Sequence, residues 1–218
     1  MTDSKYLVET DYFNFSHEKI NPLITDLAKA DKSPTEKAIE LYYKIRDGYR
    51  YNPYRISFRP EKYIASNLVD DSEGHCIDKS ILLITGLRAL GISARLRLAK
   101  VKNHIGVERL VEKFGTNVMT PHGMVDIFLK NKWVKASPAF NRELCEKCNV
   151  APLDFDGKTD SIFQEYDQAG GQFMDYLEDY GSFEDVPLEF IIKNMKEHYP
   201  TIIQKYTNLQ STKDVNLS

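Results

Sequence analysis

The segment that most restricts the fold of this chain is residues 122–137, HGMVDIFLKNKWVKAS. Apolar and polar residues alternate on both sides of the dipeptide at 130–131, whose asparagine tolerates the positive φ that a two-residue turn requires. Opposite positions then hold an aromatic pair and an opposite-charge pair, which both favour antiparallel pairing: Phe128 with Trp133, and Asp126 with Lys135. The segment therefore predicts a β-hairpin with a defined register.

The predicted register also decides which polar side chains share a face of the hairpin. Ser137 lies opposite Met124, and His122 lies on the same face, diagonal to the serine. The hairpin therefore predicts that a histidine and a serine are close to each other where the two strands separate.

Two helices are indicated by the residues at their N-termini. In SPTEKAIELYYKIRDGYRY, Ser33 is a suitable N-cap, Pro34 suits the first helical position and Glu36 completes a capping box. Gly48 lies where this helix is expected to end. Apolar residues of the helix recur at helical spacing and predict a buried stripe: Ala38, Tyr42, Ile45 and Tyr49.

The second helix begins at Cys76, and its predicted buried face is a single stripe: Cys76, Ser80, Leu83, Leu87 and Leu90. Gly91 ends this helix, and the alternating residues 93–101, SARLRLAKV, predict a strand. Four other segments favour short helices: residues 22–30, 104–119, 171–180 and 187–199. Helices that precede and follow an antiparallel sheet indicate the α+β class.

Composition restricts the function classes. The chain has 218 residues, 42% of them hydrophobic, and its 29 basic and 32 acidic side chains give a net charge of −3. We therefore expect no nucleic-acid partner and no membrane partner. The N-terminus lacks the pattern of a secretory signal, and no apolar run approaches the roughly 18 residues of a membrane span. Three cysteines are typical of a reducing compartment, so we expect a cytoplasmic protein.

Cys76 is the first candidate for chemistry. At the first turn of a helix, unpaired N–H groups and the positive end of the helix dipole stabilise an anion, which predicts a lowered thiol pKa. One of these N–H groups is also a candidate oxyanion donor. The alternative is that Cys76 is an ordinary core residue, because free cysteine is among the most buried residue types.

His122 is the candidate base, because a histidine brought beside a thiol activates it. The alternative is a histidine that merely ends a surface strand. His75 directly precedes Cys76 and is expected to point away from the thiol, and the remaining histidines lie in polar, helix-like segments: His17, His104 and His198.

Two stretches together resemble the core of the transglutaminase-like superfamily: GHCIDKSILLITGLRALGISAR and PHGMVDIFLKNKWVKASPAFN. The shared pattern is Gly-x-Cys at the start of a helix, an apolar run, LRALGI-AR, a histidine that starts a strand, and a tryptophan eleven residues later. This resemblance covers about residues 65–140. Gly74, Cys76, His122 and Trp133 occupy the positions of the glycine, cysteine, histidine and tryptophan in this pattern.

The resemblance implies a papain-like α+β fold, with N-terminal helices and the nucleophile helix packed on an antiparallel sheet. It implies Cys76 as nucleophile and His122 as base, with no cofactor and no metal. We expect one domain over residues 1–206, with its core at 65–140, a helical extension at 158–206 and a polar tail at 207–218. Members of the superfamily transfer amides between glutamine and amines or hydrolyse peptides and amides, and some have lost catalysis.

The chain departs from the superfamily pattern at one position. The aspartate that usually precedes a proline four residues after the tryptophan is Ser137 here, followed by Pro138. Serine accepts a hydrogen bond from the ring but carries no charge, whereas papain-like enzymes use a neutral asparagine as third member. Asn141 is the nearby asparagine, and Asp126 is expected to pair with Lys135. We therefore predict Ser137 as the third member, with Asn141 as the alternative.

Other features favour structural roles. Cys145 and Cys148 form a lone CxxC without a second pair or a histidine at ligand spacing, so we expect partly buried thiols. Arg55 and Arg59 could bind a substrate carboxylate, but a packed loop with exposed guanidinium groups is the favoured interpretation. The chain is thus predicted to be a thiol-dependent acyltransferase or amide- or peptide-hydrolysing enzyme that acts on a protein, peptide or small amide. The alternative is a catalytically silent binding or scaffolding module.

Overall fold

A four-stranded antiparallel sheet and the helix that packs against it organise the computed structural model, which describes residues 4–200, Ile202 and residues 215–216. The helices are α1 Asn21–Lys29, α2 Pro34–Gly48, α3 Ala65–Leu68, α4 Cys76–Ala89, α5 Glu108–Phe114, α6 Arg142–Lys147 and α7 Leu188–His198. The strands are β1 Arg50–Tyr51, β2 Arg55–Ile56, β3 Glu73–Gly74, β4 Ala94–Asn103, β5 Val118–Leu129, β6 Lys132–Ala136, β7 Met174–Phe183 and β8 Val215–Asn216.

The sheet has the strand order β6-β5-β4-β7, and every neighbouring pair is antiparallel. Two short pairings lie outside it: β1 with β3 in parallel, and β2 with β8 in antiparallel orientation. In the described part of the chain, no helix is both long and apolar enough to cross a membrane. Helix α4 packs against β4 and β5 on one side of the sheet and against α2.

The predicted hairpin is β5–β6, and its register is confirmed. Phe128 pairs with Trp133 and Asp126 with Lys135. The turn residues at 130–131 have φ values of 49° and 64°, as a two-residue turn between twisted strands requires. The rings of the aromatic pair lie 5.3 Å apart in an edge-to-face arrangement.

The expected ion pair across the hairpin is wrong, although the two Cα atoms are partners. The carboxylate of Asp126 instead accepts hydrogen bonds from Arg95 at 3.0 Å and Arg97 at 3.2 Å. Lys135 pairs with Asp160 at 2.7 Å. Residue 126 is 1% exposed, and two guanidinium groups from the neighbouring strand β4 compensate its buried charge better than the half-exposed lysine would.

Helix α2 begins as predicted. The Ser33 hydroxyl accepts from the backbone of Glu36, and the Glu36 carboxylate accepts from the backbone of Ser33, which completes the capping box. The four predicted stripe residues are buried. Tyr42 within this stripe also donates toward the backbone carbonyls of Ser137, at 3.1 Å, and Leu153, at 3.0 Å, so it anchors the helix to the chain that follows β6.

Helix α4 begins at Cys76 as predicted, but its burial is not confined to one stripe. Every residue from Cys76 to Arg88 is buried, because α4 lies between the sheet on one side and α1, α2 and α3 on the other. Lys79 is fully buried, and its ammonium group donates to the carbonyls of Arg46, Tyr49 and Ala139, each at 2.8 Å. These three bonds use all three ammonium protons and tie α4 to the end of α2.

The C-terminal extension is not helical throughout. The predicted helix at 171–180 is wrong, because that segment belongs to β7, which pairs with β4 at the edge of the sheet. The helix predicted at 187–199 is confirmed as α7. Helix α6 lies between the hairpin and this extension. Of the predicted tail at 207–218, only residues 215–216 are described, as β8, and the others lie outside the described residues.

Candidate active site

The N-terminus of α4 meets β5 at a single glycine. A Cβ atom on Gly123 would lie 2.9 Å from the Cα of Ile77, so only glycine permits this approach of strand and helix. The backbone N–H of Gly123 consequently reaches the sulfur of Cys76, and the N–H groups of Cys76 and Ile77 also act on it. The sulfur therefore lies among three backbone donors, the arrangement that stabilises an anion at a helix start.

Burial nevertheless decides the charge of the Cys76 thiol. The side chain is 3% exposed, and loss of solvation, together with the Asp78 carboxylate and against the opposing effect of three backbone N–H groups, raises its pKa to about 12. The expected lowering of the thiol pKa is therefore wrong for this state of the protein. The helix N-terminus is present, but its effect is smaller than the cost of placing a thiolate in a closed apolar site.

His122 directly precedes Gly123 in β5. It is 2% exposed, and burial, followed by the charge of His75, lowers its pKa to about 4. At neutral pH the site thus holds a neutral thiol and a neutral imidazole. Among the described residues, Nδ1 of His122 has no hydrogen-bond partner.

The two candidates for the third position are held by other contacts. Ser137 is buried one residue beyond the last hairpin pair, and its backbone N–H donates to the carbonyl of Ser161 at 2.8 Å. Asn141 accepts from the backbone N–H of Tyr51 at 2.9 Å and donates its amide group to Glu143. Both ends of the Asn141 side chain are thus occupied, so Asn141 is not available to orient His122.

His75 does not point away from the site, so that expectation is wrong. It is 6% exposed and lines the same small cavity as Cys76. It is also the N-cap residue of α4: its backbone N–H donates to the Asp78 carboxylate at 3.0 Å, and its Nδ1 lies 2.9 Å from the same carboxylate. Sequence reasoning missed this role because histidine is an uncommon N-cap, although the aspartate three residues later was a signal of the motif.

Two cavities adjoin near the start of α4, and the smaller one is lined by Cys76. The smaller has a volume of about 30 Å³ and is bounded by Cys76 and His75 together with residues of β5, α5 and α7. The larger has a volume of about 340 Å³ and an aromatic and aliphatic lining with polar groups at its edge. The cavities have four lining residues in common: Tyr51, Pro53, Leu110 and Met119. Helix α5 supplies one of these residues and lies between two glycines with positive φ, Gly106 and Gly115.

The sequence model of the Transglutaminase-like superfamily matches residues 22–138, more than half of the chain. The chain belongs to the transglutaminase-like superfamily. The match begins at α1, well before the region 65–140 on which the sequence resemblance depended. The helix α4 packed on the antiparallel sheet is thus the papain-like α+β core that the resemblance predicted, and the predicted fold class is confirmed.

One solved structure is also similar to this transglutaminase-like chain: a protein named "Putative Cysteine Protease" from Cytophaga hutchinsonii. The two chains are 14% identical, with a TM-score of 0.46, and the similarity covers 79% of this chain and 62% of the other. The present chain thus spans about three-fifths of the length of that protein. No curated protein matches the chain.

The remaining candidate residues of this superfamily member have structural contacts. Arg55 pairs with Asp71, and Arg59 pairs with Glu61. Cys145 is buried and Cys148 half-buried, both are free, and burial raises the pKa of each. Within the described residues, no group of three or more His, Cys, Asp or Glu side chains could hold a metal ion.

Proposed function

We propose that this protein is a thiol-dependent enzyme that transfers acyl groups or hydrolyses amide or peptide bonds, with Cys76 as nucleophile and His122 as base. The observation that carries the proposal is the contact between α4 and β5. Gly123 of β5 lies against Ile77 at the start of α4. His122 is close enough to His75, the residue before Cys76, for the charge of His75 to lower the pKa of His122. Membership in a superfamily of cysteine-based enzymes adds to this geometry.

The proposed reaction starts from a neutral pair of groups. As the sulfur attacks the substrate carbonyl, the thiol proton passes to His122, so no free thiolate is needed before substrate binds. Backbone N–H groups at the start of α4 stabilise the developing oxyanion. His122 then returns the proton to the leaving amine, which leaves a thioester on Cys76 that water or a second amine resolves.

Ser137 is the third member in this proposal, in place of the aspartate of the superfamily. Its position, directly after β6 and buried, supports this role. This role requires the Ser137 hydroxyl to turn toward the ring when substrate binds, because Nδ1 of His122 has no hydrogen-bond partner among the described residues. In such a site, stabilisation of the reacting groups depends more on the backbone N–H donors around the sulfur than it does in a site with an aspartate.

The proposed substrate is a protein, a peptide or a small amide, and no nucleic acid or membrane is proposed as a partner. The larger cavity, about 340 Å³, shares four lining residues with the small cavity at Cys76 and is the proposed position of the acyl or amine group. We place the protein in the cytoplasm, because all three cysteines are free and at least one of them is the proposed nucleophile.

Pre-steady-state hydrolysis of p-nitrophenyl acetate tests the proposed function. This small activated ester releases one p-nitrophenolate for each thioester that forms, so the wild-type protein should give a burst equal to the enzyme concentration. Cys76→Ala should abolish the burst. Cys148→Ala is the thiol control: Cys148 lines the larger cavity, so its loss can alter the rate of the burst but should leave the burst amplitude unchanged. A burst of equal size in Cys76→Ala would contradict the proposal.

A catalytically silent binding module is the second candidate. It is favoured by the closed site, since Cys76 is 3% exposed and its thiol is neutral. A folded wild-type protein that gives no Cys76-dependent burst with acetyl or longer acyl esters, and whose Cys76 reacts with iodoacetamide no faster than Cys148, would establish this second function in place of the first.

A further inference from the structure

His75 is the second imidazole at the site, and its capping role accounts for only one of its two ring nitrogens. Nε2 of His75 is enclosed by protein and has no hydrogen-bond partner among the described residues, although the side chain is 6% exposed. A buried polar atom without a partner costs about 1–3 kcal/mol, so its retention points to a ligand or a reactive group that approaches it.

The other nitrogen of His75 identifies the tautomer. Nδ1 lies 2.9 Å from a carboxylate oxygen of Asp78 and 3.3 Å from the backbone N–H of the same residue. Nδ1 cannot donate to the carboxylate and accept from the N–H at once. The carboxylate is closer and charged, so we assign the proton to Nδ1. In a neutral ring, Nε2 then carries the free lone pair.

The space beside His75 and Cys76 suits a small nucleophile. The cavity that both residues line has a volume of about 30 Å³, which is enough to hold a water molecule. Its walls are otherwise mostly apolar, so a water or amine placed there would meet the thiol and His75, with Thr120, Tyr51 and Tyr199 as the other lining residues that carry polar side-chain atoms. The carboxylate–imidazole pair at this site therefore belongs to His75 and not to His122.

We propose that His75 is a second acid–base residue of the Cys76 site, positioned by Asp78, and that it activates the water or amine that resolves the thioester. This inference depends on the proposed function. Nε2 of His75 removes a proton from water as the oxygen bonds to the thioester carbonyl carbon. The carbon–sulfur bond then breaks, the sulfur takes the proton from His75, and the free acid leaves. His122 serves the first half of the reaction and His75 the second.

The test separates the two halves with p-nitrophenyl acetate. In His75→Asn the asparagine remains a good N-cap but cannot act as a base, so the burst should stay near the wild-type rate. Steady-state turnover should fall about 10²- to 10⁴-fold. Hydroxylamine, which resolves thioesters without help from a base, should restore turnover. Asp78→Asn should show the same pattern with a smaller loss.

Two variants serve as controls. His104→Asn breaks a histidine–aspartate pair of similar length elsewhere, 2.8 Å between His104 and Asp175, and should leave both phases unchanged. His75→Gln repeats the test if His75→Asn does not fold, as judged by circular dichroism. Turnover of the folded His75 variant within about twofold of wild type would overturn the inference alone, as would a loss that hydroxylamine does not restore. Absence of a Cys76-dependent burst in the wild type would overturn the proposed function and this role with it.

Discussion

The imidazoles of His75 and His122 lie on opposite sides of Cys76 in the chain and are held in different ways. His75 belongs to the first turn of α4, and Asp78, three residues later, supplies its carboxylate. His122 reaches the site from β5, and Ser137 stands where its carboxylate would be. A local contact thus supplies a charged partner to one ring, and the long-range contact supplies none to the other.

The difference shows which contacts at this site depend on local structure and which depend on the whole fold. Residues three apart at a helix start are neighbours whatever the rest of the fold does. A partner for His122 must instead come from a chain segment that the hairpin and the loop after it bring into place. In the proposed reaction, the acid–base steps are accordingly divided between His75, which a nearby residue orients, and His122, which residues distant in the chain orient.

The largest expected effect is on His122. In His122→Gln the rate of the p-nitrophenolate burst should fall about 10²- to 10⁴-fold, because the thiol loses the base that takes its proton. Hydroxylamine should not restore this phase, in contrast to His75→Asn. Stopped-flow absorbance measures the burst rate of both variants. If the two variants show the same defect in the same phase, the two imidazoles do not have separate roles.

The helix side of the site should be the more sensitive to loss of a buried anchor. Lys79→Met removes the donor from three buried carbonyls and should lower the free energy of unfolding by roughly 4 kcal/mol. Lys44→Met is the matched control, because exposed Lys44 also donates to two backbone carbonyls but at the surface. Urea denaturation measures both, and equal losses would contradict the role of burial.

Between pH 6.5 and pH 4 the strand side should show the stronger dependence of stability on pH, since the pKa of buried Lys79 on the helix side is lowered only to about 7. Burial lowers the pKa of His122 from 6.5 to about 4, so between these values the unfolded chain binds a proton that the folded chain does not. The stability contributed above pH 6.5 is lost as the pH falls toward 4, by about 3 kcal/mol. Urea denaturation at pH 7 and pH 4.5 should show a smaller loss in His122→Gln than in wild type. An equal loss of unfolding free energy in the two proteins would show that a group other than His122 takes up the proton on unfolding.

The smallest expected effect comes from giving His122 a carboxylate. Ser137→Asp should raise the pKa of His122, because a nearby negative charge stabilises the imidazolium, and should speed the burst about tenfold. Ser161→Asp is the control, since that residue contacts the backbone of Ser137. NMR titration of the His122 ring measures the pKa. An unchanged titration would show that residue 137 does not face the ring.

The short-range features of this protein were predictable from the sequence. The hairpin register, the capping box of α2 and the start of α4 at Cys76 all follow from contacts between residues close in the chain. Turn chemistry and capping depend on a few neighbouring residues, so the pattern alone contains the required information. The superfamily of the chain was likewise readable from the order of its motifs.

Tertiary structure decided the rest. Residues 174–183 became a strand because β4 offered an open edge, although their local pattern favoured a helix. Asp126 took its partners from β4 and not from Lys135. Whether the pKa of the Cys76 thiol is raised or lowered depended on how completely the neighbouring elements exclude water, which no stretch of sequence specifies. Strand pairing, charge compensation and solvation are sums over residues distant in the chain, so they exist only once the chain is folded.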